Sequence, residues 1–242
     1  MKLLVTGGAG FIGVNFVRYW LDRHPASHVV VLDALTYAGN RNSLADLEDK
    51  AQFEFVHGDI RNQALIEKLL HDQALDTVVH LAACNRQDAD WGELQGDNLD
   101  ATINMFEAAV AHRVRRVVLA SSNRVMAGYE VEGVSIGTAL PPRPMDFFGL
   151  TKVVGEQLGR SYSERHGLSV ICLRFGLILQ GERARSAASG VGPANVAQQL
   201  GPLPGARALD SFRGRWFRSA ECDVGQRRYV LGPERDGAGA RV

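Results

Sequence analysis

Glycines recur at three-residue intervals in Thr6-Gly7-Gly8-Ala9-Gly10-Phe11-Ile12-Gly13. The apolar run Lys2–Thr6 precedes them, and Ile12, Phe16 and Trp20 follow at four-residue spacing. A glycine-rich turn between strand and helix brings bare backbone N–H groups against a pyrophosphate, and the helix N-terminus stabilises its charge. Asp33 ends the next apolar run, 20 residues past Gly13. A carboxylate at that place hydrogen-bonds the adenosine ribose hydroxyls and repels a 2′-phosphate. The pattern therefore predicts a dinucleotide site that favours NAD over NADP. A purely structural glycine turn is the competing reading, and the strand, the helix and the carboxylate together weigh against it.

These groups need a scaffold. Apolar runs of strand length recur at Lys2–Thr6, His28–Leu32, Phe53–Val56, Thr77–Leu81, Arg116–Ser121 and Ser169–Phe175. They alternate little, as parallel strands buried on both faces do. Helical spacing appears at Ile12, Phe16 and Trp20, at Leu99, Ile103, Phe106 and Val110, and at Val154, Leu158 and Tyr162. Strands alternating with helices predict an α/β fold, a Rossmann-type doubly wound parallel sheet, over residues 1–180. Residues 181–242 hold one short helical candidate, Pro193–Leu200, a final strand candidate, Arg228–Leu231, and a loose tail, Gly232–Val242. They read as a small, irregular lid over the carboxyl edge of the sheet.

The 242 residues carry 27 basic and 27 acidic side chains. That balance argues against a dedicated nucleic-acid binder. The balance is a sum of unlike parts: residues 1–180 carry −4, and residues 181–242 carry +4, with all ten of their basic groups arginine. The arginines of the lid point to an anionic substrate, a carboxylate by expectation. No apolar run approaches the length of a bilayer span, and Met1 leads straight into a strand with no leader segment. Cys84, Cys172 and Cys222 are odd in number and widely spaced, which favours a reduced, cytoplasmic protein without disulfides. The histidines show no metal-ligand spacing, so no metal is expected.

"LLVTGGAGFIGVNFVRYWL" resembles the extended short-chain dehydrogenase/reductase superfamily, in its NAD-dependent epimerase/dehydratase group. "LDALTYAGNRNSLADL" is similar to nucleotide-sugar 4,6-dehydratases. His57-Gly58-Asp59-Ile60, His80-Leu81-Ala82-Ala83 and Asn98-Leu99-Asp100-Ala101-Thr102 match further motifs of the group, in order. The resemblance implies a cofactor site of Gly7, Gly10, Phe11, Ile12, Gly13, Asp33, Ala34 and Thr36. It adds Asp59 and Ile60 at the adenine, Leu81, Ala82 and Ala83 beneath the nicotinamide ribose, Asn98, and Lys152 on that ribose. It also implies a homodimer through helices Asn98–His112 and Phe148–His166, whose apolar stripes could equally cover the sheet of a monomer.

The group's chemistry uses a Ser or Thr and then Tyr-x-x-x-Lys. Tyr exchanges the hydroxyl proton, Lys lowers the Tyr pKa, and Ser holds the substrate oxygen. Ser122 and Lys152 fall at two of these places, and Phe148 falls at the Tyr. A phenyl ring carries no proton to exchange. Three explanations compete: a Tyr→Phe variant made to trap a complex, a natural chain that lost redox activity, or a different proton carrier. Tyr129 and Tyr162 are candidates for the last, although a loop position and an apolar helix stripe favour structural roles for them.

Asn123 and Arg124 replace the Asp-Glu pair of the 4,6-dehydratases and cannot serve as their acid and base. "ASSNRVMAGYE" and "PPRPMDFFGLTKVVGE" look more like uronate-dehydrogenase-like members, which oxidise C1 of a hexuronic acid. That likeness makes Cys84, Ser122, Asn123, Arg124, Arg213 and Arg215 the substrate-side candidates; for Cys84 a buried packing role is the simpler reading. Gly181–Arg207 departs from both relatives. The leading expectation is an NAD-dependent oxidoreductase of a polar or acidic sugar. A catalytically silent NAD-binding protein and a nucleotide-sugar epimerase or dehydratase are the alternatives.

Overall fold

A computed structural model of the chain describes residues 1–132, 136, 140–176 and 227–231. Among the described residues seven strands form one sheet: β1 (Lys2–Thr6), β2 (His28–Asp33), β3 (Phe53–His57), β4 (Thr77–His80), β5 (Arg116–Ser122), β6 (Ser169–Phe175) and β7 (Arg227–Leu231). Their order is β3-β2-β1-β4-β5-β6-β7. The first six run parallel, and β7 pairs antiparallel with β6, Cys172 facing Tyr229 in the register. The strand expected near the C-terminus thus extends the sheet, which is parallel in six strands and not in the seventh. The 180/181 boundary, Pro193–Leu200, the remaining lid residues and Gly232–Val242 lie outside the described residues.

Strands β1, β2, β4 and β5 are buried on both faces. Leu4, Val30, Leu32, Val78, Val117 and Leu119 pack into a core on one side, and Leu3, Val5, Val29, Val31, Val79 and Val118 into a core on the other. Side chains alternate along a strand, so a continuous apolar run feeds both faces. The first core is covered by α2 (Gln63–Gln73), α4 (Ala101–Ala111) and α6 (Phe147–His166), the second by α1 (Phe11–Arg23) and a 3-10 segment, Arg41–Leu47. Helix α2 lies outside the periodic stretches singled out above, because only Ile66, Leu69 and Leu70 of it are buried.

The helix expected from Asn98 to His112 begins differently. After a short α3 (Trp91–Leu94), residues Gln95–Asp100 form a π-helical turn before α4. The wider turn aims the Asn98 side chain inward, where it holds the backbone of Cys84. Tyr129, expected in a loop, stands in a short helix, α5 (Ala127–Val131), under the Arg143 guanidinium.

Behind the sheet's carboxyl edge, Arg174 of β6 and Glu156 of α6 form a buried ion pair, with Nη2 to Oε2 2.6 Å and Nε to Oε1 2.7 Å. The Ser121 hydroxyl also donates to Glu156 Oε1, at 2.6 Å. Strands β5 and β6 and helix α6 are thereby tied beside the strand ends. Removing one member of a buried ion pair strands the other charge, which costs more than the pair itself contributes. Glu156→Ala is expected to lower the unfolding free energy by about 3–5 kcal/mol, measured by urea denaturation. A shift within error of zero would mean that the pair carries no structural burden.

Candidate functional site

The strand order reverses direction between β1 and β4, and ligands of open α/β sheets bind outside the carboxyl ends at such a point. A cleft of about 510 Å³ opens there. Its floor is the turn after β1. Gly7 has φ +68°, and a side chain on it would meet the backbone of Ala82 at 2.7 Å. A Cβ on Gly13 would lie 2.4 Å from the Gly7 carbonyl oxygen. These glycines let the loop, α1 and the β4 loop approach closely. Gly10 caps α1 with no side chain on the first N–H groups. The Asp33 carboxylate accepts from Ala9 N–H at 2.9 Å and from Leu35 N–H at 2.8 Å, so it fastens the glycine-rich loop to the end of β2.

Further along, Asp59 accepts from Arg61 through its backbone N–H at 2.8 Å and its guanidinium at 2.5 and 2.9 Å. Those hydrogen bonds hold Asp59 below the usual carboxylate range. Arg61 also lies 3.5 Å from Asp97, whose pKa is raised by burial.

One buried chain of hydrogen bonds supports the centre. Ala82 N–H donates to Thr6 Oγ1 at 3.3 Å, and Thr6 Oγ1 lies 2.8 Å from His80 Nδ1. His80 Nε2 lies 3.2 Å from Thr102 Oγ1, which itself donates to the Asn98 carbonyl at 2.7 Å. Since the Thr102 proton is already given away, Nε2 must be the protonated nitrogen and Nδ1 accepts from Thr6. Burial and the Lys152 charge push the His80 pKa down to about 3, so the ring is neutral. Asn98 then exchanges two hydrogen bonds with the Cys84 backbone, at 2.8 and 2.9 Å, and donates to Thr151 Oγ1 at 3.1 Å.

At the other end of the cleft stand Ser122, Phe148 and Lys152. Ser122 closes β5, where its hydroxyl accepts from Arg124 N–H at 3.2 Å and reaches Asn123 Oδ1 at 3.4 Å. Asp146 caps α6 through Gly149 N–H at 2.6 Å, which sets Phe148 in the first turn and Lys152 one turn later. The Lys152 ammonium is 5.5 Å from the centre of the Phe148 ring. Burial lowers its pKa to about 8, and among the described residues no carboxylate lies within ion-pair distance of it.

The cleft is lined by Gly7, Gly10, Phe11, Ile12, Gly13, Asp33, Ala34, Thr36, Asp59, Ile60, Leu81, Ala82, Ala83 and Cys84, together with the Ser122 group. Asn98 sits behind this wall. Asn123 and Arg124 do not line it. Asn123 donates to Glu130 at 3.2 Å, and Arg124 pairs with Asp146. Their side chains are committed to holding the turn after β5. Tyr162 donates to Glu107 and stacks on Phe106, away from the cleft. Arg213 and Arg215 fall outside the described residues.

The family described as the NAD dependent epimerase/dehydratase family matches residues 3–200. The chain belongs to that family. It is 38% identical over 177 residues to the low-salt glycan biosynthesis protein Agl12 of Haloferax volcanii, a match covering 72% of this chain and 56% of that protein. L-arabinose 1-dehydrogenase (NAD(P)(+)) of the same organism is 29% identical over 240 residues, covering 95% of this chain and 82% of that enzyme. Among solved structures, dTDP-glucose 4,6-dehydratase DesIV of Streptomyces venezuelae, with NAD and TYD bound, is similar at TM-score 0.61 and 36% identity over 70% of this chain and 54% of that one. UDP-glucose 4-epimerase of Thermus thermophilus, in complex with NAD, is similar at TM-score 0.65 and 30% identity over 72% and 54%. The chain spans about half the length of Agl12 and of both solved enzymes.

Within this family fold, sequence reasoning passed over Tyr37, Arg61, Asn85 and Asp97, which also line the cleft. Each stands in or beside a motif that was singled out, but none occupies a position whose chemistry the motif explains. The buried imidazole gives a pH test. Below pH 6.5 the unfolded chain takes up a proton at His80 that the folded chain refuses until about pH 3. His80 therefore contributes stability that is present above pH 6.5 and lost as pH falls toward 3. Thermal melts from pH 7 to pH 4 are expected to fall more steeply for the wild type than for His80→Asn. Parallel slopes would sink this assignment.

Proposed function

We propose that the cleft binds NAD, with its adenosine at Asp33 and Asp59 and its nicotinamide end at Ser122 and Lys152. The chain's residues fit the group. The glycine-rich loop leaves the first N–H groups of α1 without a side-chain cap, and the Asp33 carboxylate stands where ribose hydroxyls would be recognised. The substrate in this reading is a sugar, free or as its acid, oxidised at a hydroxyl-bearing carbon. The observation that carries it is the convergence of Ser122, Phe148 and Lys152 at one end of that cleft.

NAD, when bound, supplies the hydride acceptor. Ser122 holds the reacting oxygen with its hydroxyl, and Lys152 presents a desolvated ammonium to the ribose. Phe148 packs the site where the family resemblance sets a tyrosine, and it moves no proton. The likeness to a sugar 1-dehydrogenase over 95% of the chain supports dehydrogenase chemistry over dehydration. So does the commitment of Asn123 and Arg124 to Glu130 and Asp146, because neither side chain is left for an acid/base pair at the sugar. A homodimer through α4 and α6 and a cytoplasmic location belong to the same reading. The missing hydroxyl favours a second reading, a chain that binds NAD without turnover.

Two measurements separate these readings. Phe148→Tyr is expected to raise NADH formation at least about 100-fold with one of a panel of aldoses and hexuronic acids, followed by NADH absorbance. If the variant binds NAD and turns over nothing in the panel, the dehydrogenase reading loses to the silent binder. Thermal shifts with the two cofactors test Asp33: NAD is expected to stabilise the chain more than NADP. A larger shift with NADP would reject the recognition assigned to that carboxylate.

A further inference from the structure

Tyr37 and Asn85 are 48 residues apart in sequence, and both line the cleft. Tyr37 follows β2 and Asn85 follows β4. These strands flank β1 on opposite sides, so their ends start roughly 10 Å apart, with the glycine-rich loop between them. The two side chains close that gap. The Tyr37 hydroxyl donates to Asn85 Oδ1 and accepts from Asn85 N–H at 3.0 Å.

Each half rests on a fixed base. Asn98 holds the Cys84 backbone by both its N–H and its C=O, one residue before Asn85. On the other side Gly39 N–H donates to Thr36 at 3.2 Å and Asn40 N–H to Ala9 at 3.0 Å, so the Tyr37 loop is fastened to the glycine-rich loop. The Arg86 guanidinium stands 6.0 Å over the Tyr37 ring and is itself paired with Glu93. Only the tips are free to part. Tyr37 is 57% exposed, so water can replace its hydrogen bonds at small cost.

We propose that Tyr37 and Asn85 form a clasp across the dinucleotide cleft that must open for the cofactor to enter or leave. This rests on the reading that the cleft takes NAD. A dinucleotide reaching from Asp33 on the β2 side to Ser122 on β5 has to cross the gap that this pair spans. A fixed contact with the cofactor would slow its departure only. A clasp slows arrival and departure alike, because the same two hydrogen bonds break in both directions. It sets how quickly the cofactor exchanges and leaves its affinity nearly unchanged.

The test is stopped-flow NADH fluorescence on the full chain. Tyr37→Phe keeps the ring and deletes both hydrogen bonds. Asn85→Ala deletes the side-chain acceptor, and Asn85→Asp restores one. Tyr37→Phe is expected to raise the association and dissociation rates together, by about 3- to 10-fold, with Kd within about 2-fold of the wild type. Asn85→Ala should act in the same direction, the double variant should add little, and Asn85→Asp should return toward wild-type rates. If dissociation alone quickens and Kd rises with it, Tyr37 contacts the cofactor directly and the clasp is overturned. If NADH binds and no variant changes either rate, the clasp is overturned while the cofactor reading stands. If the wild type binds no NADH, the cofactor reading falls and the clasp falls with it.

Discussion

A neutral imidazole in the middle of the molecule holds the site in register. His80 accepts a hydrogen bond from Thr6 on one nitrogen and donates one to Thr102 from the other, and both threonines are buried. A charged His80 would carry a second donor, at Nδ1, and aim it at the Thr6 hydroxyl, whose proton already points toward that nitrogen. Its burial therefore demands neutrality, and neutrality fixes the direction of every hydrogen bond from Ala82 to Asn98. The relay joins the end of β1 to the end of β4, then to the π turn before α4, and through Thr151 to α6. The glycine-rich loop, the β4 loop and the helix bearing Lys152 are thus parts of one rigid frame.

The same frame explains the contrast between the two ends of the cleft. Beside β2 and β3 the charged groups are already paired: Asp33 with backbone N–H groups, and Asp59 with Arg61. At the first turns of α6 Lys152 is buried against an aromatic ring with no carboxylate in reach among the described residues, and its amine is correspondingly easier to deprotonate. A desolvated cation of this kind costs stability unless something polar arrives to meet it. The frame keeps that cost in place because α6 is pinned from behind by Glu156 and Arg174.

Much of this was legible in the residues. The six parallel strands follow from runs such as Val29–Leu32, which have no polar face to offer water. The glycine spacing and Asp33 located the cleft because few positions besides a phosphate-facing turn need bare backbone there. The antiparallel β7 was readable only as a strand candidate, since strand direction is set by the path of the connection. Glu156 and Arg174 were silent in sequence, because two charges 18 residues apart signal nothing until a strand and a helix bring them together. Asn123 and Arg124 stand differently in sequence and in structure. The likeness of their segment to uronate-dehydrogenase-like members suggested the substrate, while the turn after β5 sends both side chains to Glu130 and Asp146.

What the sequence by itself determined is the class of scaffold, the cofactor chemistry it suits, and the absence of a hydroxyl at Phe148. Those are properties of residue type and local spacing, and folding does not alter them. Only the tertiary structure decided which polar groups face one another: the tautomer of His80, the loss of solvent around Lys152, the withdrawal of Arg124, and the meeting of Tyr37 with Asn85. Hydrogen bonds and desolvation act over a few ångströms, and distances of that size between residues far apart in the chain exist only once the sheet has formed.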